Sequence, residues 1–225
     1  MKSRAIGVLR KFTCVIAILV SLPAVAGLTE AEFSDVLKKL RHHQMVSVTF
    51  HQTRVVKISS RKFPKNSKEE PPQQDRKIEK NGEAKLSRQG KFHWQLGEEV
   101  FRFDGKDLLF FRAGAKTVTR YATSEASSVT DLVKTILGEE EFLKKFETRS
   151  VTREKGTVVA EMLPKEKKDV SLMTIEIDEG KDFVKKVMLE FTTGDTVTYA
   201  FDDPKPAKFA DSEFQAPPDS KVLDL

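Results

Sequence analysis

The sequence predicts a mainly β protein with a few helices, built from antiparallel hairpins into a strongly curved sheet or barrel. Three observations predict it. Apolar residues recur at every second position through most of the 225 residues, the spacing of a strand with one buried face. The alternating runs are short and punctuated by turn residues such as Asp104-Gly105, Asp178-Glu179-Gly180 and Gly194-Asp195. Helical spacing of apolar residues is confined to two stretches, which fits an α+β chain dominated by one sheet.

The first 26 residues read as a secretory signal. Lys2, Arg4, Arg10 and Lys11 form a basic start, and Phe12 to Leu22 is an apolar run too short to span a bilayer. Ala24-Val25-Ala26 offers a small-x-small cleavage site before Gly27. An uncleaved N-terminal anchor is the alternative. Residues 27–225 are then one secreted domain, large enough for a single core and short for two. The signal carries four of the 39 basic residues and none of the 34 acidic ones, so the remainder is close to neutral. The basic balance therefore gives no argument for nucleic acid, and no second long apolar run suggests a membrane-embedded chain. The single cysteine, Cys14, lies in the signal, preceded by Lys11-Phe12-Thr13 rather than the small apolar triplet of a lipoprotein site. No disulfide or thiol chemistry is expected.

Thr29 to Leu40 is predicted to be a helix. Thr29 and Glu32 have capping-box spacing, Leu28 is placed to staple onto Phe33, and Phe33, Val36, Leu37 and Leu40 share a face. Val46, Val48 and Phe50 share one strand face, as do Ala84 and Leu86, then Phe92, Trp94 and Leu96, then Phe101 and Phe103. Leu108–Arg112 and Thr117–Tyr121 read as the arms of another hairpin. A second helical segment runs from Ser128 to Phe146, with Leu132, Val133, Ile136, Leu137, Leu143 and Phe146 on its apolar side and a break near Gly138. Val158–Leu163, Leu172–Ile177, Phe183–Phe191 and Thr196–Phe201 complete the strands. Lys57 to Lys80 is highly charged and holds Pro64, Pro71 and Pro72, which predicts a long loop, either a solvated insertion or a docking element.

Signatures of catalysis are missing. There is no G-x-S-x-G, no H-E-x-x-H and no glycine-rich phosphate loop. His42-His43 are sequence neighbours that do not face one site, and His51 and His93 fall on the polar faces of their strands. No catalytic residue, metal ligand or cofactor is expected. The unusual feature is apolar: 16 Phe, all but Phe12 beyond the signal, against one Trp and two Tyr. Phenylalanines on one concave face either pack as core or line a greasy cavity. Phe50, Leu86, Phe92, Trp94, Phe101 and Phe103 all fit such a face, and Leu132 and Ile136 add the apolar side of the second helix. Arg88 breaks the pattern. At spacing two from Ala84 and Leu86 it stands in phase with the apolar face, where a guanidinium needs partners, unless a strand end near Gln89-Gly90 turns it outward.

These residues also carry a family resemblance. Val48-Thr49-Phe50-His51-Gln52-Thr53 resembles the first-strand F-x-Q pattern of the LolA family of periplasmic outer-membrane lipoprotein carriers. Gly82 to Arg88 followed by Lys91-Phe92-His93-Trp94 resembles that family's glycine, arginine and F-x-W segment. Asp104-Gly105-Lys106, Leu163-Pro164-Lys165 and Phe214-Gln215-Ala216-Pro217-Pro218 are similar to its later signatures, in order. Gln89 replaces the usual proline, the Lys57–Lys80 loop is longer than typical, and the segment before Leu132 lacks a proline often found there.

The resemblance implies an incomplete, unclosed antiparallel β-barrel covered by a helical lid around an acyl-chain cavity lined by Phe50, Leu86, Phe92, Trp94, Phe101, Phe103, Leu132 and Ile136. It implies Arg88 as a latch bonded to lid backbone when the cavity is empty. It implies a monomeric periplasmic carrier that receives acylated lipoproteins from an inner-membrane ABC transporter and passes them to the outer-membrane receptor LolB. Three acyl chains of about fifteen methylenes, at ~0.8 kcal/mol each, cost roughly 35 kcal/mol to expose to water, so unaided crossing is excluded. A LolA-like carrier of another lipid or glycolipid, a sensor of mislocalised lipoproteins, and a hydrolase with an unrecognised site are the alternatives.

Overall fold

A computed structural model of the chain describes residues 27–40, 45–58, 75–87, 89–121, 128–138, 143–166 and 169–224. The expected signal, residues 1–26, lies outside the described residues, as does Arg88.

Helix α1 (Glu30–Lys39) starts where the capping box requires. The Glu32 amide donates to Thr29 Oγ1 at 3.3 Å, and the Thr29 amide donates back to Glu32 Oε2 at 2.9 Å, so two end donors of the helix are satisfied reciprocally. Its buried stripe is Phe33, Val36 and Leu40, the i, i+3, i+7 face read from the sequence.

The chain then lays down β1 (Met45–Val56), β2 (Arg76–Ser87), β3 (Phe92–Leu96), β4 (Glu99–Phe103), β5 (Leu108–Arg112) and β6 (Thr117–Tyr121). After helix α2 (Ser128–Ile136) come β7 (Phe146–Glu154), β8 (Thr157–Pro164), β9 (Val170–Asp178), β10 (Phe183–Phe191), β11 (Thr196–Phe201), β12 (Lys205–Pro206) and β13 (Lys221–Asp224). They form one sheet in the order β13-β6-β5-β4-β3-β2-β1-β11-β10-β9-β8-β7, with β12 on β1. The sheet does not close: β13 and β7 are its edges. Neighbours are antiparallel except β13 with β6.

Two predicted boundaries are corrected. β2 begins at Arg76 and pairs with β1 along its length, from Val56↔Arg76 to Met45↔Ser87, so the last part of the charged segment predicted as a loop is strand. Backbone hydrogen bonds to β1 outweigh its unfavourable strand composition. Residues 59–74 of that segment lie outside the described residues. The second helical segment breaks at Gly138 as expected, with α2 ending at Ile136 and Leu143 again helical, but Phe146, expected on its apolar side, instead opens β7 opposite Pro164. The stop is Gly138, at φ +64, the left-handed conformation that ends a helix. A Cβ there would lie 2.9 Å from the Leu37 carbonyl oxygen, so the ends of α1 and α2 meet with no room for a side chain.

The topology explains where the helices sit. β6 and β7 lie near opposite ends of the sheet, so the chain between them must cross a face. α2 lies on that crossing and buries Leu132, Val133 and Ile136 in the same apolar cluster as Phe33, Val36 and Leu40 of α1 and the inward residues of the sheet. This inner face is the main core.

A smaller cluster lies on the outer face, where Val100, Leu109, Phe111 and Val118 are covered by Ala216 and Val222. The C-terminal segment makes this cover. It leaves β1 through β12, passes through a short 3-10 turn at Asp211–Phe214, and ends as β13 on β6. Lys85 to Glu213 and Lys91 to Asp211, both 2.8 Å, tie the turn to the sheet. Arg102 Nη1 donates to the Gln215 carbonyl at 2.7 Å.

Candidate functional site

The inner face is built by strand parity. On β1 the alternate residues Val46, Val48 and Phe50 are buried, and register carries the same face outward: Val48 faces Ala84, Ala84 faces Trp94, and Trp94 faces Phe101. On the other side Phe50 faces Phe201 of β11. Phe50, Leu86, Phe92, Trp94, Leu132 and Ile136 are all buried in this cluster, and Phe101 and Phe103 are half-buried against it. All eight residues therefore belong to one packed apolar cluster, six buried within it and two against it.

The centre is aromatic. Phe50 and Trp94 have ring centroids 4.2 Å apart, and Phe201 lies 5.8 Å from Phe50 and 6.1 Å from Trp94. Phe92 stacks on Phe103 at 5.6 Å, and Phe101 meets Phe110 at 4.9 Å. Such pairs contribute about 0.5–1.5 kcal/mol each beyond area burial. Phe201, Phe183 and Tyr199 belong to this group, although the sequence does not single them out. Phe201 and Tyr199 face Phe50 and Gln52 of β1, more than 100 residues earlier in the chain, and Phe183 joins them through Phe201.

Gly82 makes the central packing possible. It faces Phe50 across the β1–β2 ladder, and a Cβ there would sit 2.2 Å from Phe50 Cζ and 2.5 Å from the Gln95 carbonyl oxygen. The Phe50 ring therefore lies over the glycine, which is why the sequence opens its glycine-to-arginine segment with that residue type.

The inner face is graded in polarity. Along β1 burial ends at Phe50, Gln52 is half-buried, and Arg54 is exposed. Gln52 faces Tyr199 across β1–β11, and Gln52 Nε2 donates to the Tyr199 hydroxyl at 2.9 Å. The Tyr199 ring is 5.8 Å from Trp94 and 6.1 Å from Phe50, and burial pushes its phenol above the ordinary value. Beyond this pair the charges are partnered, Arg54 with Asp195 at 3.7 Å and Lys80 with Glu99 at 3.6 Å.

Arg88 itself lies outside the described residues, and the chain on either side of it is joined by backbone hydrogen bonds. β2 ends at Ser87, whose carbonyl accepts from the Gly90 amide at 2.9 Å, while the Ser87 amide donates to the Lys91 carbonyl at 2.9 Å.

His93 departs from the expectation of a solvated polar face. It does point away from Trp94, but the C-terminal segment covers it. Desolvation pushes the imidazole down to about 4, with Arg102 and Lys85 on the neighbouring strands reinforcing the shift. Nothing local in the sequence announces this, because the covering residue Glu213 is remote in the chain. Among the described residues, no group of three or more His, Cys, Asp or Glu side chains is placed to hold a metal ion. No described helix is long and apolar enough to cross a membrane.

The fold is an open, mainly antiparallel sheet whose aromatic-rich inner face packs against two helices, with a smaller apolar cluster on the outer face. The chain belongs to the LolA family: the family model for the outer membrane lipoprotein carrier protein LolA matches residues 68–217. Members of this family are binding or carrier proteins rather than enzymes. A search of curated proteins finds no match to the sequence. Among solved structures, an uncharacterized conserved protein from Thermus thermophilus is similar at 8% identity and TM-score 0.49, covering 86% of this chain and 99% of that one. A LolA superfamily protein from Nitrosomonas europaea is similar at 10% identity and TM-score 0.43, covering 81% and 96%. The Pseudomonas aeruginosa MucA/MucB complex is similar at 16% identity and TM-score 0.36, covering 86% and 64%.

Proposed function

We propose that this chain is a periplasmic carrier that shelters the acyl chains of outer-membrane lipoproteins against the inner face of its sheet. In this reading it takes cargo from an inner-membrane lipoprotein-releasing ABC transporter and hands it to the outer-membrane receptor LolB. The observation that carries the reading is the aromatic face of an unclosed sheet, Phe50, Trp94, Phe92, Phe101 and Phe103, covered by α1 and α2. A sheet that is not closed can let its covering helices move apart without breaking its own ladder. The helices act as a lid: acyl chains enter between them and the face, replacing apolar contacts of Leu132 and Ile136 with contacts to methylenes. Loading then exchanges one set of apolar contacts for another. That keeps binding moderate, so release remains feasible.

Arg88 is the proposed latch. Its guanidinium donates to backbone carbonyls near α2 in the empty protein, at roughly 1.5–3 kcal/mol per charge-assisted bond. That biases the lid without locking it. The test is a transfer assay with purified carrier and receptor, scoring loading and hand-off separately. Arg88→Leu is expected to accept lipoprotein and release it poorly, and Arg88→Lys to be milder because it keeps the charge but loses the planar fork. A variant Arg88→Leu that loads and unloads like the parent overturns the latch. A parent protein that accepts no acylated lipoprotein overturns the carrier reading.

A further inference from the structure

The inner face ends in a neutral hydrogen-bonding pair. Gln52 Nε2 donates to the Tyr199 hydroxyl at 2.9 Å, which uses a phenol lone pair and one amide proton. The phenol proton and Gln52 Oε1 make no other hydrogen bond among the described residues. The pair thus presents one donor and one acceptor, side by side, where the aromatic cluster gives way to exposed Arg54. The charged groups next to it, Arg54 and Lys80, already face Asp195 and Glu99. What remains is matched to a neutral carbonyl and a neutral N–H rather than to an anion.

We propose that Gln52 and Tyr199 form a polar subsite that orients acyl cargo. The Tyr199 hydroxyl donates to an acyl carbonyl, and Gln52 Oε1 accepts from an amide N–H at the head of the chains. This deepens the carrier reading and rests on it. An amide-linked acyl chain on a lipidated cysteine supplies both groups, whereas a diacyl phospholipid supplies ester carbonyls only. The hydrocarbon then lies toward Phe50, Trp94 and Phe201, and the polypeptide leaves past Arg54. Along β1 the face is graded in that direction: buried Val46, Val48 and Phe50, half-buried Gln52, exposed Arg54. An orienting pair is useful to a carrier because apolar contacts alone are non-directional.

The test uses the full chain, expressed with its own N-terminal segment, and three probes: a tripalmitoyl-cysteine peptide, dipalmitoylphosphatidylcholine and a hexadecyl hydrocarbon dye. Tyr199→Phe keeps the ring and removes the hydroxyl. It is expected to weaken the lipopeptide and the phospholipid about tenfold, the effect of one hydrogen bond, and to leave the dye unchanged. Gln52→Met keeps the bulk and is expected to abolish the parent's preference for lipopeptide over phosphatidylcholine. Equal binding of the lipopeptide by parent and Tyr199→Phe overturns the subsite while leaving the carrier reading intact. Equal losses for all three probes also overturn it, since that marks a packing role. A parent that binds none of the probes overturns the carrier reading itself.

Discussion

The buried imidazole of His93 predicts an acid-sensitive component of stability that one substitution removes. The folded value is pushed down to about 4 from the ordinary 6.5, because the ring is desolvated beneath the C-terminal segment and flanked by Arg102 and Lys85, with Glu213 opposing them. A base with a depressed folded value stays neutral in the folded state while the unfolded chain takes up a proton. Stability tied to His93 is therefore fully present above about pH 6.5 and falls as pH drops toward 4. Between pH 7 and pH 4.5 the linkage amounts to about 2 kcal/mol. For a domain of this size that is roughly 4–8 °C in Tm. Carboxylates held low, such as Glu213 under its hydrogen bond from Lys85, also lose stability in acid, so the parent's own curve is a composite. The informative quantity is the difference between parent and His93→Leu, followed by thermal or denaturant unfolding at pH 7, 6, 5 and 4.5. His93→Leu is expected to gain about 2 kcal/mol relative to the parent across that range. A difference that stays flat with pH refutes the argument and places the imidazole in contact with solvent.

Other perturbations test the packing of the inner face and the first helix. Gly82→Ala drives a methyl into the Phe50 ring and the Gln95 carbonyl, and is expected to cost about 1–3 kcal/mol. Combining it with Phe50→Leu should recover part of that loss; strict additivity in a double-mutant cycle contradicts the contact. Thr29→Ala removes the hydroxyl that accepts from Glu32 and should cost about 1 kcal/mol in chemical denaturation, with no change of cargo preference.

The inner face is legible in the sequence because alternation is local. Spacing alone puts Phe50, Leu86, Phe92, Trp94, Phe101 and Phe103 on apolar strand faces, and register brings them together. The capping box at Thr29 and Glu32 is legible for the same reason: its partners are three residues apart. What stays hidden depends on distant pairing. Tyr199 becomes significant only when β11 pairs with β1 and sets it opposite Gln52. His93 is polar-faced by parity and is buried because the tail returns across the outer face and brings Glu213 against it. Lys77, Glu79 and Lys80 are poor strand formers that pair because β1 opposite them is long and well formed. The break near Gly138 is legible as a glycine inside an apolar helical pattern, whereas Phe146 keeps that spacing and yet opens β7, because its place is set by pairing with Pro164.

The central claim is that the inner face carries lipoprotein acyl chains. Its most direct test is mass spectrometry of what co-purifies with the chain from the periplasm of cells making acylated lipoproteins. The account predicts triacylated protein in complex with the parent, retained more strongly by Arg88→Leu. Recovery of free phospholipid or glycolipid alone, or of no acylated species from either protein, contradicts it.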